Sequence, residues 1–174
     1  RMGLWTTPGN HDYSSIDTIT QEGPYYDLFT MPTKGEAGGM PSENEAFFSF
    51  DYANIHFISI NSEYAPNISS DSTPLINWLE KDLQQTNKDW IIAFWHQPPY
   101  TKGTHNSNDL RSKMSLMRIH VNPILEKYGC DLVICGHSHG YERSYLLKGH
   151  FGISNSLNPS MIIDSSNGNP NDGN

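Results

Sequence analysis

Three short segments of the chain carry side chains that can bind cations or transfer protons. They are Pro8–Asp12, Trp95–Tyr100 and Gly136–Arg143, and they hold four of the eight histidines. Each follows, or is placed to follow, an apolar run that predicts a β-strand. In open α/β sheets the loops beyond the carboxyl ends of the strands meet in one crevice, so we expect these segments to lie together.

The pair His137 and His139 has the most informative spacing. If the geometry of the strand before them continues, residues two apart point to the same side, and their imidazoles can serve two ions held side by side. Neutral imidazole binds Zn, Fe, Mn or Ni, and the amide oxygen of Asn10 can add a neutral ligand for a hard cation. With His96 directly after another strand, the set predicts a metal site of the hydrolytic kind, without thiolates.

Each of these residues also has an ordinary structural interpretation. Beside Gly9, Asn10 taken alone is more typical of a turn than of a metal site. A Gly-His-Ser-His segment taken alone is compatible with a surface loop. The remaining single histidines His56, His120 and His150 are interpreted as packed or solvated side chains without a chemical role. Only the combination of the three segments favours a metal site.

The composition narrows both the fold and the partners. With 174 residues, of which 36% are hydrophobic and 11% aromatic, the chain is long and apolar enough for one globular domain. A net charge of −8 without a basic run argues against binding to a nucleic-acid backbone, so a phosphate-binding site needs positive charge from metal ions. No apolar run is long enough to cross a bilayer.

The two cysteines, Cys130 and Cys135, predict neither a disulfide nor a structural zinc site. Most of the segment between them is predicted as one extended strand, which holds them too far apart to bridge. A closed structural zinc site normally uses four ligands, often thiolates at Cys-x-x-Cys spacing, and the sequence lacks that spacing.

Short apolar runs bounded by turn residues predict a series of β-strands. The first two runs are separated by a very short connection, so we expect them to form a hairpin. The strand predictions are Ala46–Asp51, Asn54–Asn61, Trp90–Trp95, Asp131–Cys135, Tyr141–Leu147 and Met161–Asp164.

Two helical patterns lie between these strands. The first covers about residues 72–87, with a Ser72 cap and Pro74 in its first turn. The second covers about residues 108–128, with an interruption at Pro123 and a glycine directly after it. Helices between strands favour crossover connections, so the expected fold is α/β with a mixed or parallel sheet.

Together, the three segments resemble a known enzyme family. Gly9-Asn10-His11-Asp12, the strand followed by His96, and Gly136-His137-Ser138-His139 resemble the last three motifs of the calcineurin-like metallophosphoesterases. The extension Gly140–Arg143 is similar to the purple acid phosphatases. The resemblance covers residues 1–164, including the helical segment Trp78–Leu83, and implies part of a four-layer α/β/β/α sandwich with mixed sheets. It further implies that residues 1–174 are a single, N-terminally truncated catalytic domain, with residues 165–174 as loop.

The resemblance also implies roles for individual residues. It makes Asn10, His96 and His137 ligands of one metal ion and His139 a ligand of a second. His11 is implied to hydrogen-bond the substrate phosphate, with Asp12 orienting its ring. His105, nine residues after His96, matches the position of a substrate-binding or proton-donating histidine. The cofactors implied are two divalent or trivalent ions, Fe, Zn or Mn.

The reaction implied by the resemblance is hydrolysis of phosphate monoesters. Two cations lower the pKa of a bridging water and hold the phosphoryl oxygens during in-line attack. His11 or His105 then protonates the departing alkoxide, which suits imidazole because its unperturbed pKa is about 6.5. The implied partner is a small phosphorylated substrate, and resemblance to secreted acid phosphatases favours export from the cytoplasm.

The chain departs from the family pattern before Gly9. The family carries an Asp-x-His motif, a Gly-Asp motif whose Asp bridges the ions and, in purple acid phosphatases, a Tyr ligand, and none of these precedes Gly9 here. We therefore expect the 174-residue chain alone to bind at most one ion tightly and to hydrolyse little substrate. We also expect it to miss an N-terminal segment of the same domain, which leaves a strand such as Trp90–Trp95 with an unpaired edge.

Two other functions stay open from the sequence. A phosphodiesterase or nucleotidase uses the same metal pair when its pocket admits a second substituent. The wall that decides this is mainly residues 97–106, where Tyr100 either stacks on a base or packs internally. A non-catalytic metal-binding module is the alternative from another class, and the number of ions bound per chain distinguishes it.

Overall fold

The central feature of the fold is a mixed four-stranded sheet. The computed structural model describes residues 4–17, 20–67 and 73–166. Its strands are β1 (Phe48–Tyr52), β2 (Ile55–Ser59), β3 (Trp90–Trp95) and β4 (Leu132–Cys135), in the spatial order β1-β2-β3-β4. β1 and β2 form the predicted antiparallel hairpin, while β2, β3 and β4 run parallel. The α/β fold with a mixed sheet is confirmed.

A second, two-stranded sheet follows. It pairs β5 (Leu146–Leu147) with β6 (Ile162–Asp164) in antiparallel orientation. The strand predicted over Tyr141–Leu147 was too long, because residues 141–145 are exposed and no strand of the described residues lies beside them to supply ladder hydrogen bonds. Instead, the Glu142 side chain bonds to a loop near residue 102.

Four α-helices are described. They are α1 (Pro24–Leu28), α2 (Pro74–Gln85), α3 (Lys113–Leu116) and α4 (Asn122–Lys127), and a π-helical turn, Met117–Val121, joins the last two. The predicted cap residue Ser72 lies outside the described residues, and Thr73 caps α2 by accepting a hydrogen bond from Ile76 N at 3.4 Å. α1 was not predicted.

The helix that runs from Lys113 to Lys127 begins five residues later than predicted, after a Ser112 cap that accepts a bond from Ser115 N at 3.2 Å. Its irregularity has a simple cause. Pro123 has no N–H to donate, and its ring crowds the carbonyl four residues earlier, which lies in the π-helical turn. The predicted interruption at Pro123 is confirmed, and Gly129 ends the segment with φ of 77°.

Both crossover helices pack on one face of the sheet and form the main core. This core joins α2 and the 113–127 helix to the strand residues that point to the same side. Its fully buried members include Ile58, Ile60, Leu79, Ala93, Trp95, Met117 and Val121. On the opposite face, Phe48 and Phe50 pack with Met31, and Trp5 stacks on Phe50 with ring centroids 4.0 Å apart.

The sheet edge differs from the sequence expectation. Strand β3 lies inside the sheet and is paired on both sides, so the expectation of an unpaired edge there was wrong. The parallel crossover connection that follows β3 places β4 next to it on the outer side of the sheet. Among the described residues, β4 is therefore an edge strand. Leu132 and Ile134 of β4 are 48% and 52% exposed, although they lie on a face that is apolar elsewhere.

A buried polar contact ties the hairpin to α2. The His56 ring is 1% exposed, with Nδ1 2.8 Å from Asp51 Oδ1 and Nε2 2.9 Å from Asp82 Oδ2. Asp82 also accepts bonds from Ser49 Oγ at 2.7 Å and Met40 N at 2.8 Å. Burial acts to lower the pKa of His56, but the bonds and charges of Asp82 and Asp51 outweigh it and raise this pKa above its ordinary value.

None of the described helices is both long and apolar enough to span a membrane.

Candidate metal centre

Three of the predicted site residues meet at one point. Asn10 Oδ1 lies 2.7 Å from His96 Nε2 and 3.1 Å from His137 Nδ1, and the two ring nitrogens are 3.1 Å apart. The three residues are widely separated in sequence, as the argument from strand ends predicted. His96 directly follows β3 and His137 lies two residues after β4, so both stand at the carboxyl edge of the sheet.

The spacing of these atoms suits coordination of a single ion. Ligand bonds of about 2.0–2.2 Å separate neighbouring ligands by about 3.0 Å at right angles and by about 3.4 Å at tetrahedral angles. The observed separations of 2.7–3.1 Å are close to the first value. Two imidazole nitrogens and an amide oxygen are also a donor set that accepts Zn, Fe or Mn.

A buried hydrogen-bond cluster fixes the backbone that carries His96. Gln97 N donates to Ser62 Oγ at 3.2 Å, and Trp95 Nε1 donates to Gln97 O at 2.6 Å. The Gln97 side-chain amide bonds to both Ser62 and Glu63, and Glu63 is paired with Lys113 of α3. Because both backbone and side chain of Gln97 are held, the His96 ring leaves β3 in a defined direction.

Gly9 allows the close approach of the first segment. A Cβ atom at position 9 would lie 2.9 Å from Nδ1 of His96, closer than Cβ atoms are found to other heavy atoms. The segment that leads to Gly9 is not a strand within the described residues, so Gly9 does not follow a strand end as the other two segments do. It passes the end of β2 instead, where Thr7 Oγ1 donates to Ile60 O at 3.3 Å.

His137 has a backbone conformation that histidine rarely adopts. Its φ is 63°, in the left-handed region, and the preceding Gly136 N donates to His96 O at 3.0 Å. The strand therefore ends before His137, and the expectation that His137 and His139 share one side of a continuing strand was wrong. Such strain at a polar cluster is typical of functional sites.

His139 has no side-chain hydrogen bond to the three converging atoms among the described residues. Its backbone N–H donates to Thr104 Oγ1 at 3.0 Å, and its side chain is exposed. Within residues 4–17, 20–67 and 73–166, no three His, Cys, Asp or Glu side chains are placed to hold an ion by themselves. The amide oxygen of Asn10 is therefore needed to complete a three-atom site around His96 and His137.

Asp12 occupies a different position from the one the resemblance implied. Its Oδ2 accepts a hydrogen bond from Gly9 N at 2.8 Å, and no bond to the His11 ring is present among the described residues. The turn explains this, because Asp12 N and Tyr13 N both donate to Gly9 O and bring the carboxylate back toward Gly9. Asp12 thus closes the turn that presents Asn10, and His11 stays exposed beside it.

His105 reaches the site from a long loop. Its ring stacks on His137, with centroids 4.1 Å apart and an angle of 19° between the planes. His105 itself is exposed. The structure therefore brings together Asn10, His96, His137 and His105, with His11 and His139 on nearby loops.

Both central histidines are held toward the neutral form. Burial lowers the pKa of His96, although the charges of Glu63 and Asp12 act in the opposite direction. Burial also lowers the pKa of His137, and the neighbouring His105 and His96 add to the effect. Neutral imidazole is the form that offers a lone pair to a metal ion, so the environment favours the binding state.

Sequence reasoning missed the residues that support the site. The residues of the Gln97–Glu63–Lys113 cluster form no recognisable sequence motif, since they come from three separate parts of the chain. Glu142 was noticed only as part of the purple-acid-phosphatase-like extension, yet it bonds to Lys102 N and Thr101. That extension was the one signal that pointed to a support residue.

Comparisons with known proteins identify a family. A family model described as calcineurin-like phosphoesterase matches residues 2–141. Purple acid phosphatase 15 of Arabidopsis thaliana is 30% identical over 148 residues, which are 83% of this chain and 26% of that protein. Acid phosphatase type 7 of Homo sapiens is 27% identical over 148 residues, which are 75% of this chain and 33% of that protein.

A solved structure is similar to the fold described above. A purple acid phosphatase isolated from yellow lupin (Lupinus luteus) seeds matches with a TM-score of 0.59 and 20% sequence identity, over 82% of this chain and 26% of that chain. At that identity the likeness shows the fold. The chain spans about a quarter to a third of the length of these proteins.

Proposed function

We propose, from the premise that this chain belongs to the calcineurin-like phosphoesterase family, that it contributes to an active site that hydrolyses phosphate monoesters with the help of metal ions. Family membership covers phosphoester hydrolysis in general. The preference for monoesters is supported by the relatives named as purple acid phosphatases and acid phosphatases.

One observation carries the proposal. The side-chain atoms of Asn10, His96 and His137 converge within 3.1 Å from three loops, at the spacing that neighbouring ligands of one ion have. Imidazole N–H groups can donate to an amide oxygen, so hydrogen bonding accounts for either contact of Asn10 Oδ1 taken alone. A shared ion accounts for the convergence of all three atoms from three loops.

The proposed ligands of one ion are Asn10, His96 and His137, and we assign His139 to a second ion. The charge of His139 contributes to the lowered pKa of His137, which supports its nearness. When bound, ions of the Fe, Zn or Mn type supply hydroxide and offset the charge of the phosphoryl group. The other ligands of the second ion are proposed to come from sequence outside the 174 residues.

The chain's own residues bind substrate and move protons. We assign to His105 the transfer of a proton to the departing oxygen of the ester, which its stacking on His137 and its exposure support. We assign to the exposed His11 a hydrogen bond to the phosphate. Asp12 keeps the Gly9–Asn10 turn closed through Gly9 N at 2.8 Å and so holds Asn10 in place.

The position of Tyr100 does not favour a nucleotide substrate. Its hydroxyl donates to His150 O, and its ring lies between His150, with centroids 5.9 Å apart, and Arg118, whose Cζ is 5.7 Å from the ring centre. Tyr100 is thus used in internal packing and is not free to stack on a base.

The test uses metal binding and hydrolysis together. His96→Ala and His137→Ala are compared with the wild type and with His120→Ala, a matched control on the 113–127 helix. Zn²⁺ and Mn²⁺ binding is measured on the 174-residue chain, and hydrolysis of aryl and alkyl monoesters and diesters on the longest natural polypeptide that contains it. We expect the two site variants to lose ion binding and the control to keep it.

Two outcomes contradict the proposal. In the first, His96→Ala and His137→Ala bind the ion as tightly as the control. In the second, the longer polypeptide binds metal ions but hydrolyses no monoester. A preference for diesters by a large factor also removes the monoester assignment while leaving the family unchanged.

The location of the protein is proposed on resemblance alone. Similarity to acid phosphatases supports a place outside the cytoplasm. Fractionation of the source cells with an antibody to this chain tests it, and a purely cytoplasmic signal contradicts it.

A further inference from the structure

The loop that carries His105 is fastened to the loop that carries His137 and His139. Thr101 Oγ1 lies 2.8 Å from Ser138 Oγ, and His139 N donates to Thr104 Oγ1 at 3.0 Å. At Gly103, a Cβ atom would lie 2.7 Å from Ser138 Oγ, so the two loops are in close contact. None of these contacts involves the imidazole rings themselves.

Glu142 accepts hydrogen bonds from both loops. Its Oε1 accepts from Lys102 N at 2.8 Å, and its Oε2 accepts from the Thr101 hydroxyl and, at 3.2 Å, from Ser138 Oγ. The bonds from Thr101 and from Lys102 N lower the pKa of Glu142, so the carboxylate stays ionised and accepts all three bonds. A side chain with three partners on two loops restricts their relative movement.

The opposite side of the same loop is held by Arg118. This guanidinium is 1% exposed, and its Nη1 donates to Pro99 O at 2.9 Å and to Ser107 O at 2.8 Å. The two ends of the loop are therefore fixed to the 113–127 helix. Its middle, residues 101–105, is held at Thr101 and Lys102 by Glu142, at Thr101 also by Ser107, and at Thr104 by His139 N. His105 lies at the end of this stretch.

We propose that Glu142 is a positioning residue for the reaction proposed above. It holds residues 101–105 so that the His105 ring stays stacked on His137 and faces the departing oxygen of the ester. Without Glu142 the loop keeps its two fixed ends, but Thr101 and Lys102, in the stretch that leads to His105, lose the acceptors of their two bonds. The proposal rests on the proposed function only where the reaction is concerned, because the loop contact itself exists independently of catalysis.

The first test is a double-mutant cycle in the longest natural polypeptide that contains this chain. Because Glu142→Ala misplaces His105, we expect kcat to fall about 10–100-fold while the ions bound per chain stay the same. In a His105→Ala background, Glu142→Ala is expected to have no further effect. Glu142→Gln keeps one acceptor and is expected to recover part of the lost rate. Full additivity of the two alanine substitutions, or an unchanged kcat in Glu142→Ala, overturns the proposal.

Glu126→Ala serves as the matched control. Glu126 also accepts a loop N–H with its carboxylate, from Gly149 N at 2.8 and 3.0 Å, but that loop carries none of the proposed catalytic residues. We expect kcat of this variant to equal the wild-type value. A loss equal to that of Glu142→Ala means that any loop-holding carboxylate has the same effect, and contradicts a specific role for Glu142.

The second test does not depend on activity. Hydrogen–deuterium exchange of the 101–107 segment in the 174-residue chain is expected to rise in Glu142→Ala, to rise less in Glu142→Gln and to stay unchanged in Glu126→Ala. If no form of the protein hydrolyses phosphate esters, the proposed function fails, while this exchange experiment still decides the loop contact. Unchanged exchange in Glu142→Ala overturns the positioning role by itself.

Discussion

Gly9 has no side chain, and the ring of His96 occupies the space that one would fill. The nearest ring atom lies 2.9 Å from the position of an ideal Cβ. His96 cannot turn away easily, because Gln97 beside it is held by Ser62 and Trp95. At the residue scale, the convergence of the three donor atoms therefore depends on the absence of a Cβ atom at Gly9 as well as on the donor residues themselves.

We predict that Gly9→Ala weakens metal binding by about 10–100-fold, the range found for changes next to metal ligands. The added methyl group displaces the His96 ring or the Asn10 turn, so that their donor atoms no longer converge. The measurement is the dissociation constant for Zn²⁺ or Mn²⁺ by titration calorimetry. Gly140→Ala is the control, because a Cβ at position 140 meets nothing within 4 Å. Equal affinity in both variants contradicts the prediction.

The sequence predicted the members of the site better than their contacts. His96 and His137 were expected to meet because parallel strands bring their loops to one edge, and Asn10 was assigned with them by resemblance to the family. The contacts of Asp12 and His139 were not predictable, since they depend on a turn at Gly9 and on the left-handed backbone of His137. The spacing of residues in the sequence does not show where a strand ends or where the following turn changes the direction of the backbone.

At the element scale, the His56 contact joins three pieces of structure. The ring lies on β2, Asp51 on β1 and Asp82 on α2, with both ring nitrogens bonded to carboxylates. Carboxylates only accept hydrogen bonds, so an imidazole bonded to one at each nitrogen donates from both. An imidazole that donates from both nitrogens is the protonated form. The helix is therefore fixed to the hairpin by charge as well as by the apolar core.

We predict that stability falls as pH rises above about 6.5, the ordinary pKa of histidine. The folded state raises the pKa of His56, so its contribution is fully present below the unfolded pKa and is lost as pH rises through the folded pKa. Urea unfolding at pH 6, 7, 8 and 9 measures this, with His56→Gln as the variant that cannot titrate. A wild-type-to-variant difference that is constant with pH contradicts the prediction.

The same contact predicts a large cost for its removal. His56→Ala leaves Asp82 buried at 1% exposure without its imidazole partner, and we expect about 3–5 kcal/mol of destabilisation at pH 6. Urea unfolding at that pH measures it. His120→Ala, which removes a histidine outside this contact, is expected to cost far less; comparable losses in the two variants count against the prediction.

The elements themselves were largely predictable. β3 was predicted to the residue, and the hairpin and α2 to within a few residues, because apolar periodicity and turn residues both mark them. The π-helical turn was not predicted, since Pro123 indicates that the helix is interrupted but not which type of turn the interruption takes. The sequence pattern of residues 141–145 predicted a strand, but no other described strand lies beside them to pair with.

At the scale of the whole molecule, the sheet is covered unequally. Helices cover most of one face, whereas Leu132 and Ile134 of β4 remain about half exposed on the other. The chain also spans only about a quarter to a third of the length of its relatives. The topology was predictable as a mixed α/β sheet, but the order of its strands, with β4 at the edge, was not.

We predict that the 174-residue chain associates with itself as concentration rises, because an exposed apolar edge strand offers unpaired backbone groups. Ile134→Lys is expected to reduce this association. Sedimentation velocity over a range of concentrations measures it. Ile163→Lys, at a residue that is 57% exposed on the two-stranded sheet, is the control. A monomer at all concentrations, or equal effects of the two lysines, is the contrary result.

We further predict that the 174-residue chain hydrolyses aryl phosphates far more slowly than a longer natural polypeptide that includes it. The three converging donors are all neutral, so a second cation beside the first has no anionic ligand to offset repulsion. Assays of both polypeptides with added Mn²⁺ or Zn²⁺ test this. Robust turnover by the shorter chain is the result that refutes it.

The backbone of His137 has a consequence for how this position changes under selection. A left-handed φ of 63° favours glycine or asparagine over histidine when stability alone is selected. A library screened only for resistance to heat should therefore drift toward glycine at position 137. One screened for phosphate release should retain histidine, so the two enrichment profiles separate what the turn requires from what the chemistry requires.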